Sequence, residues 1–266
     1  MSFLAGLRFL TIIPLPWHGE VSQEEVGRSI VYFPVVGVII GLILAGLNWL
    51  LSLFLPSMVV NALLLVSLVV ITGAMHLDGW VDTCDGLAGH KTPEARWQVM
   101  SDSRVGGFGI VGAVLLLLVK YVSLNSVPET LLMATLVIMP VVSRWAMVYA
   151  IFTYPYAKPS GLGRVFKQAA SWPRFTLATV ITLGVAIGLA RWADVTYFYL
   201  VGLAIMVGIW VITMVMVAYL KRKFSGLTGD TYGAINEVAE VGVLILVLLL
   251  ARNQWLGLAW SGGIVV

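Results

Sequence analysis

Long apolar stretches recur along this 266-residue chain, and they constrain its fold more than any other feature. A helix needs about 20 consecutive apolar residues to cross the hydrocarbon core of a bilayer. Stretches of roughly that length lie near residues 30–54, 57–75, 108–126, 130–151, 175–191, 196–219 and 238–251. Only 11% of the residues are charged and the mean hydropathy is +0.97, values that exclude a water-soluble globular domain. The sequence therefore predicts an all-α fold, a polytopic integral membrane bundle of about seven transmembrane helices.

The start of the chain differs from these stretches. Residues 2–13 are apolar but too short to cross a bilayer, and Pro14 and Pro16 follow them. No basic segment precedes the apolar run, so we expect a short interfacial helix, with Arg8 directed at headgroups or substrate, and no cleaved signal peptide. No linker divides the rest, so residues 1–266 are expected to form a single transmembrane catalytic domain. The single cysteine, Cys84, excludes an internal disulfide.

Basic residues are concentrated in alternate loops, which predicts the orientation of the chain. They precede the first apolar stretch and follow the second, fourth and sixth, as Arg8, Arg28, Lys91, Arg96, Arg104, Lys158, Arg164, Lys167, Arg174, Lys221, Arg222 and Lys223. Because Lys and Arg mark the cytoplasmic side, the N-terminus and these loops are expected in the cytoplasm and the C-terminus outside. The net charge of +3 is small and follows this topology, so it predicts no nucleic-acid partner.

The polar stretch at residues 75–109 is the strongest candidate for a catalytic site. Asp78, Asp82 and Asp85 are spaced i, i+4, i+7, which on a helix places the three carboxylates on one face. Carboxylates this close repel one another, and more strongly beside a low-dielectric bilayer, so the face is suited to a cation. Oxygen ligands without a Cys or His cluster favour Mg²⁺ or Mn²⁺, which often completes its shell with substrate phosphates. Asp102 is predicted as a further metal ligand, and displacement at a diphosphate as the reaction.

Loops rich in glycine and cations are predicted to bind an anionic substrate. Ser103 and Arg104 follow Asp102, and Arg104 is suited to charge-assisted binding of phosphate. Lys158 and Gly161 lie in a glycine turn whose backbone N–H groups would suit phosphate as well. Before the last apolar stretch come three further candidates, for substrate binding or for capping the helix that follows: Asp230, Asn236 and Glu237.

Two cations and one histidine lie within or beside the apolar stretches. Ionisable residues inside a membrane are functional candidates by default, and Arg144 is expected to reach the anionic substrate. Lys120 is expected instead to extend its amine outward to the interface. His76 directly precedes the acidic face, where it could hydrogen-bond a phosphate or a neighbouring Asp.

The polar segments, taken in order, resemble the cobalamin synthase family of adenosylcobinamide-GDP ribazoletransferases. They are HLDGWVDTCDG at 76–86, DSRVGGFG at 102–109, GLG at 161–163 and GLTGDTYGAINE at 226–237. LRFLTIIPLP at 7–16 and YFPVVGVIIG at 32–41 are similar to the opening of that family. Trp80 and Cys84 stand where the family often has smaller residues. The resemblance covers most of the chain.

This resemblance implies a multi-pass enzyme of the bacterial cytoplasmic membrane that acts late in cobalamin biosynthesis. It would join adenosylcobinamide-GDP to α-ribazole or α-ribazole 5′-phosphate, release GMP and use Mg²⁺. Its expected partners are these small molecules and membrane lipid, and association into a homo-oligomer is left open. In the mechanism that we expect, Asp78, Asp82, Asp85 and Asp102 hold one or two Mg²⁺ on the diphosphate. Asp82, Asp85 and Asp102 are the predicted catalytic residues, with Asp82 favoured as the proton acceptor.

Two other functions share part of this pattern. Asp82, Asp85 and Gly86 also match the core of the CDP-alcohol phosphatidyltransferase motif, but Gly89 and His90 replace its Ala-Arg pair and its closing acidic pair is absent. A transporter would place its polar residues near the middle of the membrane, whereas the polar residues here are concentrated toward one face. Release of CMP from an activated lipid precursor, or flux without chemical turnover, would identify these alternatives.

Overall fold

A computed structural model of the chain describes residues 1–14, 21–89 and 92–252. In this part of the chain the regular structure is helical, apart from one isolated parallel bridge between Tyr156 and Leu227. A single 3-10 turn, Ser29–Tyr32, joins the second and third helices. In chain order the helices are α1 (Ser2–Leu10), α2 (Gln23–Arg28), α3 (Phe33–Leu51), α4 (Ser57–Ile71), α5 (Met75–Leu87), α6 (Pro93–Met100), α7 (Gly107–Ser126), α8 (Glu129–Thr153), α9 (Leu162–Ala169), α10 (Trp172–Trp192), α11 (Phe198–Phe224) and α12 (Gly229–Arg252).

The apolar helices confirm the predicted polytopic membrane fold. Within the described ranges, six helices are long and apolar enough to cross a bilayer, and the first of them is the continuous run Gln23–Leu51. A seventh crossing is obtained if α4 and α5, which meet at 87°, form one broken span. The predicted interfacial helix is present as α1, three residues shorter than expected. Lys91, predicted to lie in a cytoplasmic loop, falls outside the described residues.

The break between α4 and α5 ends the predicted span at 57–75 earlier than expected. Gly73 and Ala74 both have positive φ, of 59° and 58°. The amide of Gly73 donates to Val70 O and that of Ala74 to Val69 O, at 2.9 and 2.8 Å. These are the paired hydrogen bonds that end a helix in a Schellman motif. The chain therefore turns sharply into the acidic helix α5, which was correctly predicted to be helical.

The last helix begins well before its apolar part. The sequence placed its start near residue 238, with Asp230, Asn236 and Glu237 in the preceding loop, and this was wrong: all three lie within α12. Thr228 begins the helix, because its hydroxyl accepts from the amide of Thr231 and its own amide donates to the Thr231 hydroxyl. The first turns of α12 contact other helices and not lipid, so they can be polar.

The first of two close helix crossings joins α3 to α8, most of whose residues are buried. Gly37 and Gly41 of α3, four residues apart, lie directly on α8. A Cβ at Gly37 would come within 2.5 Å of Pro140 O, and one at Gly41 within 2.5 Å of the Val137 Cα. Small residues at this spacing let the backbones of membrane helices approach closely.

The second crossing joins α5 to α12 and positions the site. A Cβ at Gly79 would come within 2.6 Å of Asp230 O, and one at Gly233 within 3.1 Å of His76 O. The two glycines therefore bring the acidic face of α5 against the first turns of α12. Residues of α5 and α12 that are about 150 positions apart in sequence become neighbours as a result.

Candidate functional site

A cavity of about 350 Å³ opens beside the crossing of α5 and α12, under the loop that joins α8 to α9. Its wall includes Phe9, Phe33, His76, Asp78, Met147, Ile151, Tyr156, Lys158, Ser160, Gly161, Gly163, Phe166, Asp230, Tyr232 and Gly233. Five of the predicted substrate-binding or metal-binding residues are among them: His76, Asp78, Lys158, Gly161 and Asp230. The structure thus brings together residues from three separate sequence motifs.

The mouth of the cavity carries opposite charges in a loose arrangement. Lys158 Nζ lies 3.4 Å from Asp230 Oδ2, and the two side chains keep 26% and 29% of their surface exposed. Asp78 is exposed at the same mouth. Gly161 has a φ of 113°, which favours glycine, and turns the chain into α9. A polar, partly solvated mouth of this kind can exchange its internal contacts for contacts with an anionic ligand.

Tyr156 lies between this loop and α12. Its ring is stacked on that of Tyr232, with 6.3 Å between the centroids. A Cβ at Gly163 would come within 2.3 Å of the Tyr156 ring, so the glycine lets α9 approach it. Burial, together with the negative charge of Asp230, raises the pKa of the Tyr156 phenol, which therefore stays protonated. In this loop the sequence pointed to Lys158 and Gly161 for their charge and turn, and it did not predict the role of Tyr156.

Asp82 is half-buried one turn after Asp78 on α5. The charges of Asp78, Asp230 and Asp85 all repel its negative charge, and Lys158 attracts it. The α5 carboxylates were predicted from their spacing, but Asp230 joins them only through the helix crossing. A surplus of negative charge at this point favours a bound proton or a bound cation.

Asp85 has a structural partner that the sequence did not predict. Its carboxylate accepts hydrogen bonds from the amides of Gly106 and Gly109, each at 2.8 Å. It therefore caps the start of α7, where the helix dipole also favours a negative charge. A Cβ at Gly106 or Gly109 would come within 2.4 or 2.5 Å of the carboxylate oxygens, which explains the glycines in this turn.

Asp102, Ser103 and Arg104 are exposed in the loop between α6 and α7. Arg104 Nη2 donates to Asp102 Oδ2 at 2.7 Å, and its backbone amide donates to Asp102 Oδ1 at 3.0 Å. These hydrogen bonds lower the pKa of Asp102 to about 2. The structure does not bring this loop to the wall of the cavity, so the predicted contribution of Asp102 to a metal site stays a prediction.

Six buried polar side chains form an ion network deeper in the bundle. Lys120 Nζ donates to Glu237 Oε2 and Glu240 Oε2, each at 2.5 Å. Arg144 donates to Glu240 and to Ser143 Oγ, and Asn236 Nδ2 donates to Glu240 Oε1 at 3.0 Å. The expectation that Lys120 reaches outward to the interface is wrong, because it is only 2% exposed. Buried carboxylates supply the solvation that the interface would have given.

Three predicted substrate-binding residues belong to this network and not to the cavity wall. Arg144 and Asn236 have no exposed surface, and Glu237 is 6% exposed. Glu240, which holds the network together, carried no predicted role. Its signal in the sequence was weak, because a single glutamate in an apolar helix does not indicate its partner.

The carboxylates at the mouth fit Mg²⁺ only if substrate phosphates complete its coordination shell. Among the residues that the structure describes, no group of three or more His, Cys, Asp or Glu side chains is arranged to hold a metal ion. Two of the four predicted carboxylates have other partners, because Asp85 caps α7 and Asp102 pairs with Arg104. Asp78 and Asp230, with Asp82 beside them, offer only oxygen donors. Mg²⁺ is commonly held by one or two carboxylates and substrate phosphates, and this donor set fits that arrangement.

A family model and the sequences of similar proteins indicate the same family for this chain. The family model described as cobalamin-5-phosphate synthase matches residues 2–249. A protein of Geotalea daltonii named adenosylcobinamide-GDP ribazoletransferase is 38% identical over 94% of this chain and 96% of its own. Proteins of the same name from Roseiflexus sp. and Desulforamulus reducens are 37% and 34% identical, over 94% and 93% of this chain and 90% and 96% of theirs. No solved structure matches the chain.

Proposed function

Because this chain belongs to the cobalamin-5-phosphate synthase family, we propose that it transfers the adenosylcobinamide phosphate group of adenosylcobinamide-GDP to α-ribazole or α-ribazole 5′-phosphate. The products are GMP and adenosylcobalamin or its 5′-phosphate. The chain is a transferase, as its relatives are named; its family name places it in cobalamin biosynthesis, and its long apolar helices place it in a membrane. The family match gives no support to the CDP-alcohol phosphatidyltransferase or transporter alternatives.

The observation that carries this proposal is the mixed charge at the mouth of the cavity. Asp78, Asp230, Lys158 and Gly161 all line one cavity in the volume range of small-molecule sites, and Lys158 contacts Asp230 at its mouth. A diphosphate needs both cations and hydrogen-bond donors, and a hydroxyl nucleophile needs a nearby proton acceptor. The mouth supplies both kinds of group in one place.

The reaction is a displacement at phosphorus. The hydroxyl of the ribazole attacks the phosphorus that is linked to cobinamide, a new P–O bond forms, and the P–O bond to GMP breaks. Asp82, half-buried among other carboxylates, accepts the proton of the attacking hydroxyl. Lys158 and the backbone N–H groups of the turn at Gly161 hold phosphate oxygens of the substrate and stabilise the negative charge that develops on the departing GMP.

Mg²⁺ is the proposed cofactor, held by Asp78 and Asp230 with Asp82 beside them. When bound, it would neutralise charge on the diphosphate and assist the departure of GMP. Without a cation these carboxylates would repel the substrate. The protein residues keep the diphosphate at the mouth.

The mouth is proposed to open to the cytoplasm of a bacterial cell, at the inner membrane. Lys158 lies in the loop that covers the cavity, Arg164 and Lys167 lie in α9 directly after it, and the last turn of α11 carries Lys221, Arg222 and Lys223. Concentrations of Lys and Arg mark the cytoplasmic ends of membrane helices. Water-soluble substrates would then meet the site from the cytosol.

A reconstituted assay tests this function. The full chain in lipid nanodiscs is supplied with adenosylcobinamide-GDP, α-ribazole and Mg²⁺, and GMP and the corrinoid product are measured together by chromatography. Equal yields of the two products are expected, with no product when Mg²⁺ is chelated. Release of GMP without a ribazole-containing corrinoid would indicate a hydrolase, and no release under any metal would refute the proposal.

A further inference from the structure

The cavity has a buried inner end that the reaction at its mouth does not use. We define this inner end by Phe9, Phe33, His76, Phe166 and Tyr232, all lining the cavity. His76 is 1% exposed and Tyr232 is 3% exposed. His76 Nε2 and the Tyr232 hydroxyl are both buried, and neither has a hydrogen-bond partner among the residues that the structure describes. Buried polar groups normally have partners, so two without one on the same cavity wall indicate a place for a ligand.

The contact between His76 and Arg144 decides which nitrogen of the imidazole carries the proton. Arg144 Nη2 lies 3.5 Å from His76 Nδ1. A guanidinium can only donate hydrogen bonds, so Nδ1 must be the acceptor. The proton of the neutral ring is then on Nε2, and the unpartnered atom that lines the cavity is a hydrogen-bond donor.

The ion network holds this tautomer in place. Arg144 is buried completely and is itself bound by Glu240, which Lys120 and Asn236 also contact. Arg144 therefore acts on a ligand through His76, as a positioning residue.

The rest of the inner end is aromatic and apolar. The ring centroids of Phe9 and Phe166 are 4.8 Å apart, those of Phe33 and Phe166 5.4 Å, and those of Phe9 and Phe33 6.0 Å. Met147 and Ile151 of α8 continue the same wall. Clustered aromatic rings favour stacked or edge-on contacts with another flat ring.

We propose that this inner end binds the aromatic base of the accepting nucleoside, with His76 Nε2 donating to a ring nitrogen of that base and the Tyr232 hydroxyl contacting a polar atom of the same nucleoside. The inference rests on the proposed function. The benzimidazole base of a ribazole has one free acceptor nitrogen, no N–H donor and two methyl groups, which matches one donor in an apolar wall. Guanine, the base of the other substrate, carries an N1–H, an exocyclic amine and a carbonyl, more polar groups than one imidazole N–H and one phenol hydroxyl can satisfy.

Two acceptor nucleosides and three variants test the inference. The acceptor is offered either as α-ribazole or as the matching indole nucleoside, in which a C–H replaces the acceptor nitrogen. The chain in nanodiscs is compared with His76→Phe, Tyr232→Phe and His76→Gln, whose amide N–H can take the place of Nε2. Tyr219→Phe, on the exposed surface of α11, is the matched control.

The wild-type chain should prefer α-ribazole over the indole nucleoside by about tenfold in kcat/KM, the worth of one hydrogen bond in an apolar site. His76→Phe should reduce that preference to less than about twofold, His76→Gln should restore part of it, and Tyr219→Phe should not change it. Tyr232→Phe removes a hydroxyl without a protein partner, so the chain should fold normally. Tyr232→Phe should raise KM for the nucleoside about fivefold and leave KM for adenosylcobinamide-GDP unchanged.

Several results would overturn the inference and leave the proposed function intact. One is equal use of the two nucleosides by the wild-type chain, and another is an equal loss for both nucleosides in His76→Phe. An increase in KM for the GDP substrate alone, in Tyr232→Phe, would assign the inner end to guanine. If the wild-type chain releases no GMP, the proposed function fails by itself. Calorimetry with α-ribazole alone then decides the inference, because weaker binding by Tyr232→Phe supports it and equal binding refutes it.

Discussion

Two sets of charges in this protein differ in how completely they are paired. The ion network of Lys120, Arg144, Glu237 and Glu240 has almost no exposed surface, and each of its charges contacts an opposite charge within the protein. At the mouth of the cavity, Lys158 and Asp230 are partly exposed and 3.4 Å apart, and Asp78 is exposed. In the sequence, both sets are charges beside apolar stretches. Tertiary structure separates those that stabilise the bundle from those that remain available to a ligand.

The comparison shows how to read charges in a membrane enzyme. A buried charge that is paired has already lost its water and gains nothing by moving to a substrate. A partly exposed charge with a weak partner can exchange that partner for a phosphate at little cost. Burial by itself is therefore a poor guide to function here. His76 shows this, because it is buried with the network and yet lines the cavity with a free donor.

The largest effect is expected from Asp82→Asn. If Asp82 accepts the proton of the attacking hydroxyl, turnover should fall about a thousandfold while the unfolding temperature stays unchanged. The matched control is Asp194→Asn, whose side chain is 98% exposed and lies far along the chain from the site. GMP release by Asp82→Asn at a near-normal rate would show that the mouth does not supply the base.

Glu240→Gln should break the network and not the chemistry at the mouth. It leaves Lys120 and Arg144 buried without their shared anion, so the free energy of unfolding should drop by about 3 kcal/mol. The measurement is denaturant unfolding in lipid or detergent. The double variant Lys120→Met with Glu237→Gln removes a cation and an anion together and should cost less. If Glu240→Gln is as stable as the wild type, the network is not structural.

Gly79→Ala connects the two regions, because α5 and α12 cross at this glycine. The added Cβ would lie 2.6 Å from Asp230 O, so the helices must move apart, at a cost of about 2 kcal/mol. The shift also carries Asp230 away from Asp78, and turnover should fall with stability. Gly184→Ala is the control, since its Cβ would meet no atom within 4 Å and should be neutral. Equal behaviour of the two variants would contradict the close crossing.

Lys158→Gln should affect binding more than folding. The lysine is partly exposed, so its loss should leave the unfolding temperature unchanged while KM for adenosylcobinamide-GDP rises about tenfold. Lys221→Gln, an exposed lysine at the end of α11, is the control. A change in KM for the nucleoside and not for the GDP substrate would place Lys158 outside the diphosphate site.

The smallest effect is expected from Asp102→Asn, less than about twofold on turnover, because the exposed pair with Arg104 is not on the cavity wall. Its pKa is lowered to about 2 by Arg104. The pair therefore contributes fully above the ordinary pKa of a carboxyl group, and this contribution is lost as the pH falls through about 2. Turnover between pH 6 and 8 should be unaffected. A large loss of Mg²⁺-dependent activity would instead support the metal role predicted from the sequence.

Much of the fold and part of the site could be predicted. The transmembrane helices followed from the lengths of the apolar stretches, the acidic helix from the spacing of Asp78, Asp82 and Asp85, and the family from the polar motifs. The sequence could not predict that Asp85 caps α7, because that depends on two amides more than 20 residues away. It could not predict the early start of α12 either, since polar helical turns that face protein resemble a loop in hydropathy.

The features that the sequence determined by itself depend on short segments of the chain. Hydrophobicity, helix length and the concentration of Lys and Arg are properties of short segments, so they can be read without knowing which helix packs on which. Tertiary structure alone decided which charges are paired. Lys120 meets Glu237 across 117 positions of chain, and Gly79 brings Asp230 to the acidic helix by letting two backbones approach closely. Electrostatic pairing depends on distance in space, and only the packing of the helices sets that distance.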